Sequence, residues 1–460
     1  MNQVKAIREV DKAAEAAPAK PGRFRWAVLG LIFVIWAIAC ADRANLGIAL
    51  PFMKQEYGIS NTEAGMIISL FSFAYGIVQI PTGLLYKRLG TRVTGALFPI
   101  FMILTSLFTG LMGTTSSVFL LKLFRLGLGV SEGPLGIGCT NIINRWFPAR
   151  EKGTATGLWL TASKLGPLVV PSLCVLVIEL WGWRQIFYVF AVPGVLLSIV
   201  WIFTVTNTPE ESKYCSKAEC DYIRSETGLV FEPAEPSVLQ RNYNLAWLDK
   251  LIRTRKVRQL STLRHVFTSW NIIGAAIGYG CMIGITNIFM SWIPTYLVTV
   301  KGYTSIKMGF MASAPFLGAV IGNLLGGLLS DRMLGKRRKP LMMLSAFGTV
   351  FMMLALIYAP NNALYLGITL FLAGLLASVG FGGYAVYPMG LADKVVYPVS
   401  FGIINSVGQV GGACAPLFAG MLLDAYSWAA VFTYMGCSAL ACLLILFTIV
   451  EPVIADDDGA

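Results

Sequence analysis

A chain of 460 residues with 56% hydrophobic and 13% charged residues lies far from soluble proteins, in which about a quarter of residues are charged. That excludes an ordinary cytosolic enzyme. The net charge of +12 does not signal nucleic acid either, because the basic residues flank apolar runs and form no patch interleaved with aromatics.

Residues 1–24 carry Lys5, Arg8, Lys12, Lys20 and Arg23, and lack the short apolar core and cleavage site of a signal peptide. They read as a cytoplasmic tail before an uncleaved first span. A membrane helix needs about 20 mainly apolar residues. The pattern predicts spans over 26–50, 64–86, 94–113, 116–140, 153–179 and 185–206. A polar stretch follows, and spans resume over 267–298, 308–330, 340–359, 362–391, 399–424 and 428–450. The expected organisation is a tail at 1–24, a six-helix bundle at 25–206, a cytoplasmic linker at 207–265, a second bundle at 266–450 and a tail at 451–460. This is an all-α membrane protein with twelve transmembrane helices.

The first span contains Asp42 and Arg43, the fourth Arg125 and Glu132, and the fifth Lys164. A charge at the centre of a membrane helix costs at least ~2.5–3.5 kcal/mol, so such residues usually mark an ion or substrate path. Arg125, Gly129 and Glu132 are spaced i, i+4, i+7 on one helix face, with Gly129 expected to leave a gap between the charges. The last six spans hold ionisable residues only near their ends. Their interiors offer Asn287, Ser291, Tyr296, Asn323, Tyr384, Tyr387, Asn405 and Gln409. Trp159, Trp292 and Tyr296 can stack on a ring or serve as packing. The nine cysteines form no CxxC pair and most lie in apolar runs, and the single histidine, His265, precedes a span. No metal site, cofactor, phosphate loop or nucleophile–base pair is expected, and therefore no enzyme chemistry.

Basic residues concentrate in alternate loops: Lys87, Arg88 and Arg92; Arg145, Arg150 and Lys152; the linker; and Arg332 through Lys339. The positive-inside bias then places both termini in the cytoplasm. The halves also repeat at one constant offset, pairing Gly157 with Gly402, Gly166 with Gly411, Pro171 with Pro416, Trp183 with Trp428 and Phe187 with Phe432. Two pseudo-symmetric six-helix halves are the design of alternating-access carriers, with the site between them near midplane.

The loop Gly327-x-x-x-Asp331-Arg332, followed by Gly335-Lys-Arg-Arg338, resembles the signature loop of the major facilitator superfamily. The first-half copy, Gly83-Leu-Leu-Tyr-Lys-Arg88, departs from it with Lys87 where an aspartate is usual. Asp42-Arg43 together with Arg-x-x-x-Gly-x-x-Glu-Gly at 125–133 is similar to the anion:cation symporter family, which includes sugar-acid, tartrate and phthalate permeases and sialin-like carriers. The resemblance implies the major facilitator fold and proton-coupled uptake of organic anions. The matching residues would be Asp42, Arg43, Arg125 and Glu132, with Tyr75 of span 2 facing the substrate.

The residues agree in kind. The five interior charges sum to +1, and protonating a carboxylate raises this to +2, which attracts an anion more strongly. Arg125 offers a planar fork for a carboxylate, and Arg43 can pair with Glu132 until an anion arrives. Asp42 is either a second proton site or a structural partner of Arg43. Lys164, whose repeat partner is Gln409, is either a second anion contact or a lysine that snorkels or neutralises Glu132. The expected function is symport, as uptake by alternating access, of a small organic carboxylate such as a sugar acid or dicarboxylate with a proton rather than sodium. The expected substrate contacts are Arg43, Arg125, Lys164, Tyr75, Asn287, Tyr384, Asn405 and Gln409, and the proton sites Glu132 and Asp42. Alternatives are an aromatic carboxylate as substrate, or an exporter or antiporter. The expected setting is a bacterial inner membrane, as a monomer with no nucleic-acid partner.

Overall fold

Twelve long helices run through the residues that the computed structural model describes, which are 22–89, 93–227, 246–257, 259–334, 337–393 and 396–454. The side chains of Lys87 and Asp331, and Gly90, Gly335 and Lys336, lie outside the described residues, and so does most of the N-terminal tail. The first six are α1 (Phe24–Tyr57), α2 (Asn61–Leu89), α3 (Phe98–Thr114), α4 (Val118–Trp146), α5 (Ala149–Trp181) and α6 (Gln185–Thr204). The linker holds α7 (Lys217–Thr227), α8 (Ala246–Leu251), β1 (Thr254–Val257) and α9 (Leu263–Thr268). Then come α10 (Trp270–Thr299), α11 (Ser305–Arg332), α12 (Lys339–Ile357), α13 (Ala363–Val379), α14 (Phe381–Val386), α15 (Tyr397–Ala425), α16 (Trp428–Thr448) and β2 (Glu451–Ile454).

Eleven of these segments are long and apolar enough to cross a membrane. The twelfth long helix, α4, is diluted by its charges and glycines, yet it is 29 residues long and packs on α2 and α3. Helix ends follow local chemistry. Gly58 closes α1 at φ 63°, returning its N–H to the Lys54 carbonyl; Ser117 caps α4 by accepting from Leu120 N–H. The sequence reads 362–391 as one span, and the structure keeps one over Ala363–Gly390, interrupted by a turn at Gly380. A side chain there would strike the Leu341 carbonyl and Met342 Cα of α12.

The halves repeat in space as in sequence. In the first, α1 packs on α5, α2 on α4 and α3 on α6; in the second, α10 packs on α15, α11 on α13 and α12 on α16. Gly318, Gly322 and Gly326 bring α11 against the α13 backbone at Phe371, Leu375 and Val379, so this glycine stripe is packing. Across the halves α1 meets α10, α2 meets α15 and α5 meets α11.

These contacts are tight at one end only. Away from the termini, added side chains at Gly47, Gly65, Gly309 and Gly420 would collide with backbone of the opposite half. There Asp424 of α15 caps the N-terminus of α2, accepting from Asn61 N–H (3.0 Å), Thr62 N–H (2.7 Å) and the Thr62 hydroxyl (2.6 Å). At the linker end Gly83, Gly153, Gly157, Gly327 and Gly402 face open space. By these interior glycines the halves are in backbone contact opposite the linker and more open beside it.

The linker is docked on both halves. Glu219 of α7 accepts from the Arg25 N–H and guanidinium at the start of α1, while Arg25 also binds Glu151 at 2.7 Å. β1 pairs in parallel with β2, from Thr254 opposite Glu451 to Val257 opposite Ile454. This small sheet is an element that the all-α reading omits. Beside it Arg337 binds Asp249 at 2.6 Å, and Glu451 accepts from the backbone of Arg338 and Lys339. Arg337 lowers the Asp249 pKa.

Candidate functional site

A cavity of about 170 Å³ lies where the two halves meet. The first half lines it with Trp36, Cys40 and Arg43 of α1, Ile68, Phe71, Ser72 and Tyr75 of α2, Arg125 of α4, and Ser163, Lys164 and Pro167 of α5. The second half contributes Tyr279, Ile283, Thr286, Asn287, Met290 and Ser291 of α10, Phe381 of α14 and Gln409 of α15.

Three cations reach this space. Arg43 stands over the Tyr75 ring at 4.5 Å, flanked by Trp36 and Phe71, and Arg125 lies over the other neighbour of that group, Phe71, at 5.1 Å. Lys164 extends across the cavity to the Phe381 ring at 4.9 Å. Glu132 sits directly behind Arg43, fully buried, with Oε1 accepting from Nε (2.7 Å) and lying 2.6 Å from Nη2, which forms an ion pair without hydrogen-bond geometry. Its Oε2 has no hydrogen-bond partner among the described residues, nor do Nε and Nη1 of Arg125, which is 1% exposed. Buried ionic donors without acceptors are costly, and an anionic ligand would satisfy them.

The opposite wall is neutral and several of its hydrogens are already engaged. The Thr286 hydroxyl donates to the Met282 carbonyl (3.1 Å), Ser291 to Asn287 (2.6 Å), and the Asn287 amide to Gly412 (3.1 Å). What remains for a ligand there is oxygen lone pairs together with the Gln409 amide and the Tyr279 hydroxyl, a mixed set that suits hydroxyl groups as donors and as acceptors.

Of the substrate residues expected from sequence, Arg43, Arg125, Lys164, Tyr75, Asn287 and Gln409 line the cavity. Two do not. Tyr384 is buried behind Tyr279, its hydroxyl 3.1 Å from Cys442 Sγ. Asn405 lies one turn nearer the open end, where it donates to Gln79 of α2 across the halves (3.3 Å). Asp42 turns away from the cavity toward α3, accepting from Asn45 (3.0 Å) and Thr109 (3.1 Å), and forms no ion pair with Arg43. A small cleft beside it is lined by Thr105, Ser106 and Gly194. Adjacent residues on a helix diverge by about 100°, so Asp42 and Arg43 cannot face the same space.

Gly129 leaves no gap either. The α2 backbone at Phe71 fills that place, bringing the aromatic floor beneath both arginines. Trp292 donates to the Pro416 carbonyl and Tyr296 packs on Trp428 and Phe432, so both are packing residues. Trp159 stacks behind Trp36. Sequence reasoning missed Trp36, Phe71, Tyr279, Thr286 and Phe381. In helices that are apolar all round, no face is marked as inward. No group of histidine, cysteine or carboxylate side chains among the described residues is arranged to hold a metal.

The family model described as Major Facilitator Superfamily matches residues 32–413 and 308–459. A D-galactonate transporter of Escherichia coli O6:H1 is 30% identical over 434 residues, covering 92% of this chain and 94% of that protein. A probable galactarate/D-glucarate transporter of Bacillus subtilis is 27% identical, covering 96% and 95%. Among solved structures, a bacterial homologue of the human lysosomal transporter Spinster, inward-facing and occupied, superposes with a TM-score of 0.70 at 14% identity, covering 93% and 96% of the two chains.

Proposed function

This chain belongs to the Major Facilitator Superfamily, a family of membrane carriers rather than enzymes, and on that premise we propose that it takes up a small sugar acid together with a proton. One arrangement carries the reading. Arg43, Arg125 and Lys164 share a cavity in which the one carboxylate touching any of them, among the described residues, is Glu132 behind Arg43. A cavity of this size suits a small solute, well below the ~300–1,000 Å³ of drug-sized sites. Cations on one wall fit a carboxylate, and neutral hydrogen-bonding groups on the other fit a polyol chain. The names of the relatives, sugar-acid transporters, support the same class.

Coupling follows from the shared arginine. While Glu132 is ionised, Arg43 has its counter-charge. Once Glu132 takes a proton, Arg43 is a half-buried cation without a counter-charge, and the cost approaches the roughly 3–5 kcal/mol of a broken buried pair only as water is excluded. The substrate carboxylate restores the balance, so proton and anion bind best together. Asp42, with neutral hydrogen-bond donors and no cation in contact among the described residues, is the second proton acceptor of the proposal. Basic loops on the linker end support a cytoplasmic location for both termini in a bacterial inner membrane. The open end then faces the cytoplasm, the side of release.

In proteoliposomes, labelled D-galactonate or galactarate should accumulate under an inward pH gradient and leak away on adding a protonophore. Glu132→Gln should lose accumulation but keep substrate exchange. Undiminished concentrative uptake by that variant, or uptake driven by sodium alone, would overturn the reading.

A further inference from the structure

We infer that the preferred substrate is a diacid, with one carboxylate at Arg43 and Arg125 and the other at the ammonium of Lys164; this rests on the sugar-acid reading above. Three observations carry it. The arginines are gathered on the aromatic floor of α2, over Phe71 and Tyr75, whereas Lys164 of α5 ends over Phe381 of the second half. The cavity thus has two cationic ends, one resting on rings of each half.

Second, the structure removes the ordinary explanations for a lysine inside a membrane helix. Lys164 does not neutralise Glu132, because that carboxylate is taken by Arg43. It does not snorkel to an interface, because it lines the cavity. Among the described residues no carboxylate lies within ion-pairing distance of it, and its ammonium is met by an aromatic face. A ring is a weak partner for a cation compared with a carboxylate, which would bind it with a charge-assisted hydrogen bond.

Third, the two ends belong to different walls. Lys164 spans from the first half to Phe381, which begins the short helix after the turn at Gly380. A second carboxylate drawn to Lys164 lies against the neutral half, so a diacid touches both halves while its first carboxylate stays with the arginines. A monoacid of the same skeleton puts a hydroxymethyl group there and leaves the ammonium on its ring.

D-galactonate and galactarate differ only at that terminal carbon, one a monoacid and one a diacid, and both are fully ionised at neutral pH. Binding of each to the purified full-length protein, by displacement of a labelled acid, tests the assignment. The wild type should hold galactarate roughly tenfold or more tighter than galactonate. Lys164→Gln should lower galactarate affinity at least tenfold more than it lowers galactonate affinity, and Lys164→Arg should restore most of the preference. Retained galactonate binding in Lys164→Gln also reports that the variant is folded. Equal losses for the two acids, or a wild type without preference for the diacid, would overturn the diacid assignment while leaving the sugar-acid reading intact. Binding of neither acid by the wild type would overturn both.

Discussion

The two halves share one pattern of helix pairing and differ in what they bury. In the first, Asp42, Arg43, Arg125, Glu132 and Lys164 sit far from helix ends; in the second, charge stays at the ends, as with Asp424 on α2 and Lys339 on the carbonyls of Ile252 and Ile449. Among the described residues no ion pair joins a helix of the first six to one of the last six. Contacts across the divide are neutral, such as Asn405 with Gln79 and Leu417 N–H with Ser69, or set a charge against neutral groups, as Asp424 does on its donors and Lys164 on the Phe381 ring. The difference has a physical use. If the halves rock, breaking a buried ion pair between them would cost about 3–5 kcal/mol per cycle. Keeping the interior charges on one side lets the divide open cheaply, and it would confine the proposed proton–anion exchange to one bundle.

This division of labour can be broken at three levels. The largest effect is expected for Arg125→Gln, which removes the buried guanidinium with unpartnered nitrogens. Anion affinity should fall toward a hundredfold, read by binding titration, because a charge-assisted hydrogen bond is worth about 1.5–3 kcal/mol. A smaller loss is expected from Gln409→Leu on the neutral wall. Its neutral contact is worth about 0.5–1.5 kcal/mol, so affinity drops roughly threefold to tenfold while the accumulation ratio per proton gradient is kept. If Gln409→Leu uncoupled transport as Glu132→Gln is expected to, coupling would not be confined to the first half.

The smallest effect concerns end charges. Asp249 has its pKa depressed by Arg337, so the pair stabilises the folded state above the unfolded value near 4 and loses that contribution as pH falls through the folded value. Asp249 is 31% exposed, which screens the pair to less than about 1 kcal/mol. Asp249→Asn should lower the melting temperature by a degree or two at pH 7, with the difference from wild type vanishing in acid. A constant difference across pH would mean that packing, not charge, holds the linker to the second half.

Much of this was legible in order of physical strength. The apolar periods placed the spans, since a bilayer core imposes a length that nothing else in the chain mimics. The close approach of α12 at Gly380 was not legible, because it depends on how separate helices pack. For the site, Arg43, Arg125 and Lys164 stood out because charge is expensive among apolar residues. Tyr384 and Asn405 were equally polar on paper. Only packing separates a tyrosine bonded to Cys442 and an asparagine bonded to Gln79 from Gln409, which lines the cavity. The divergence of Asp42 from Arg43 was within reach, since neighbouring residues on a helix point about 100° apart.

By itself the sequence determined a membrane carrier of two repeated six-helix halves with its ionisable residues gathered in the first, because hydropathy, loop charge and the constant offset of the repeat are properties of the chain alone. Tertiary structure alone decided which charges meet: Glu132 with Arg43, Lys164 with Phe381, and Asp42 with neither. The physical reason is that a charge announces the cost of its burial along the chain, but the partner that offsets that cost is chosen by how separate helices pack.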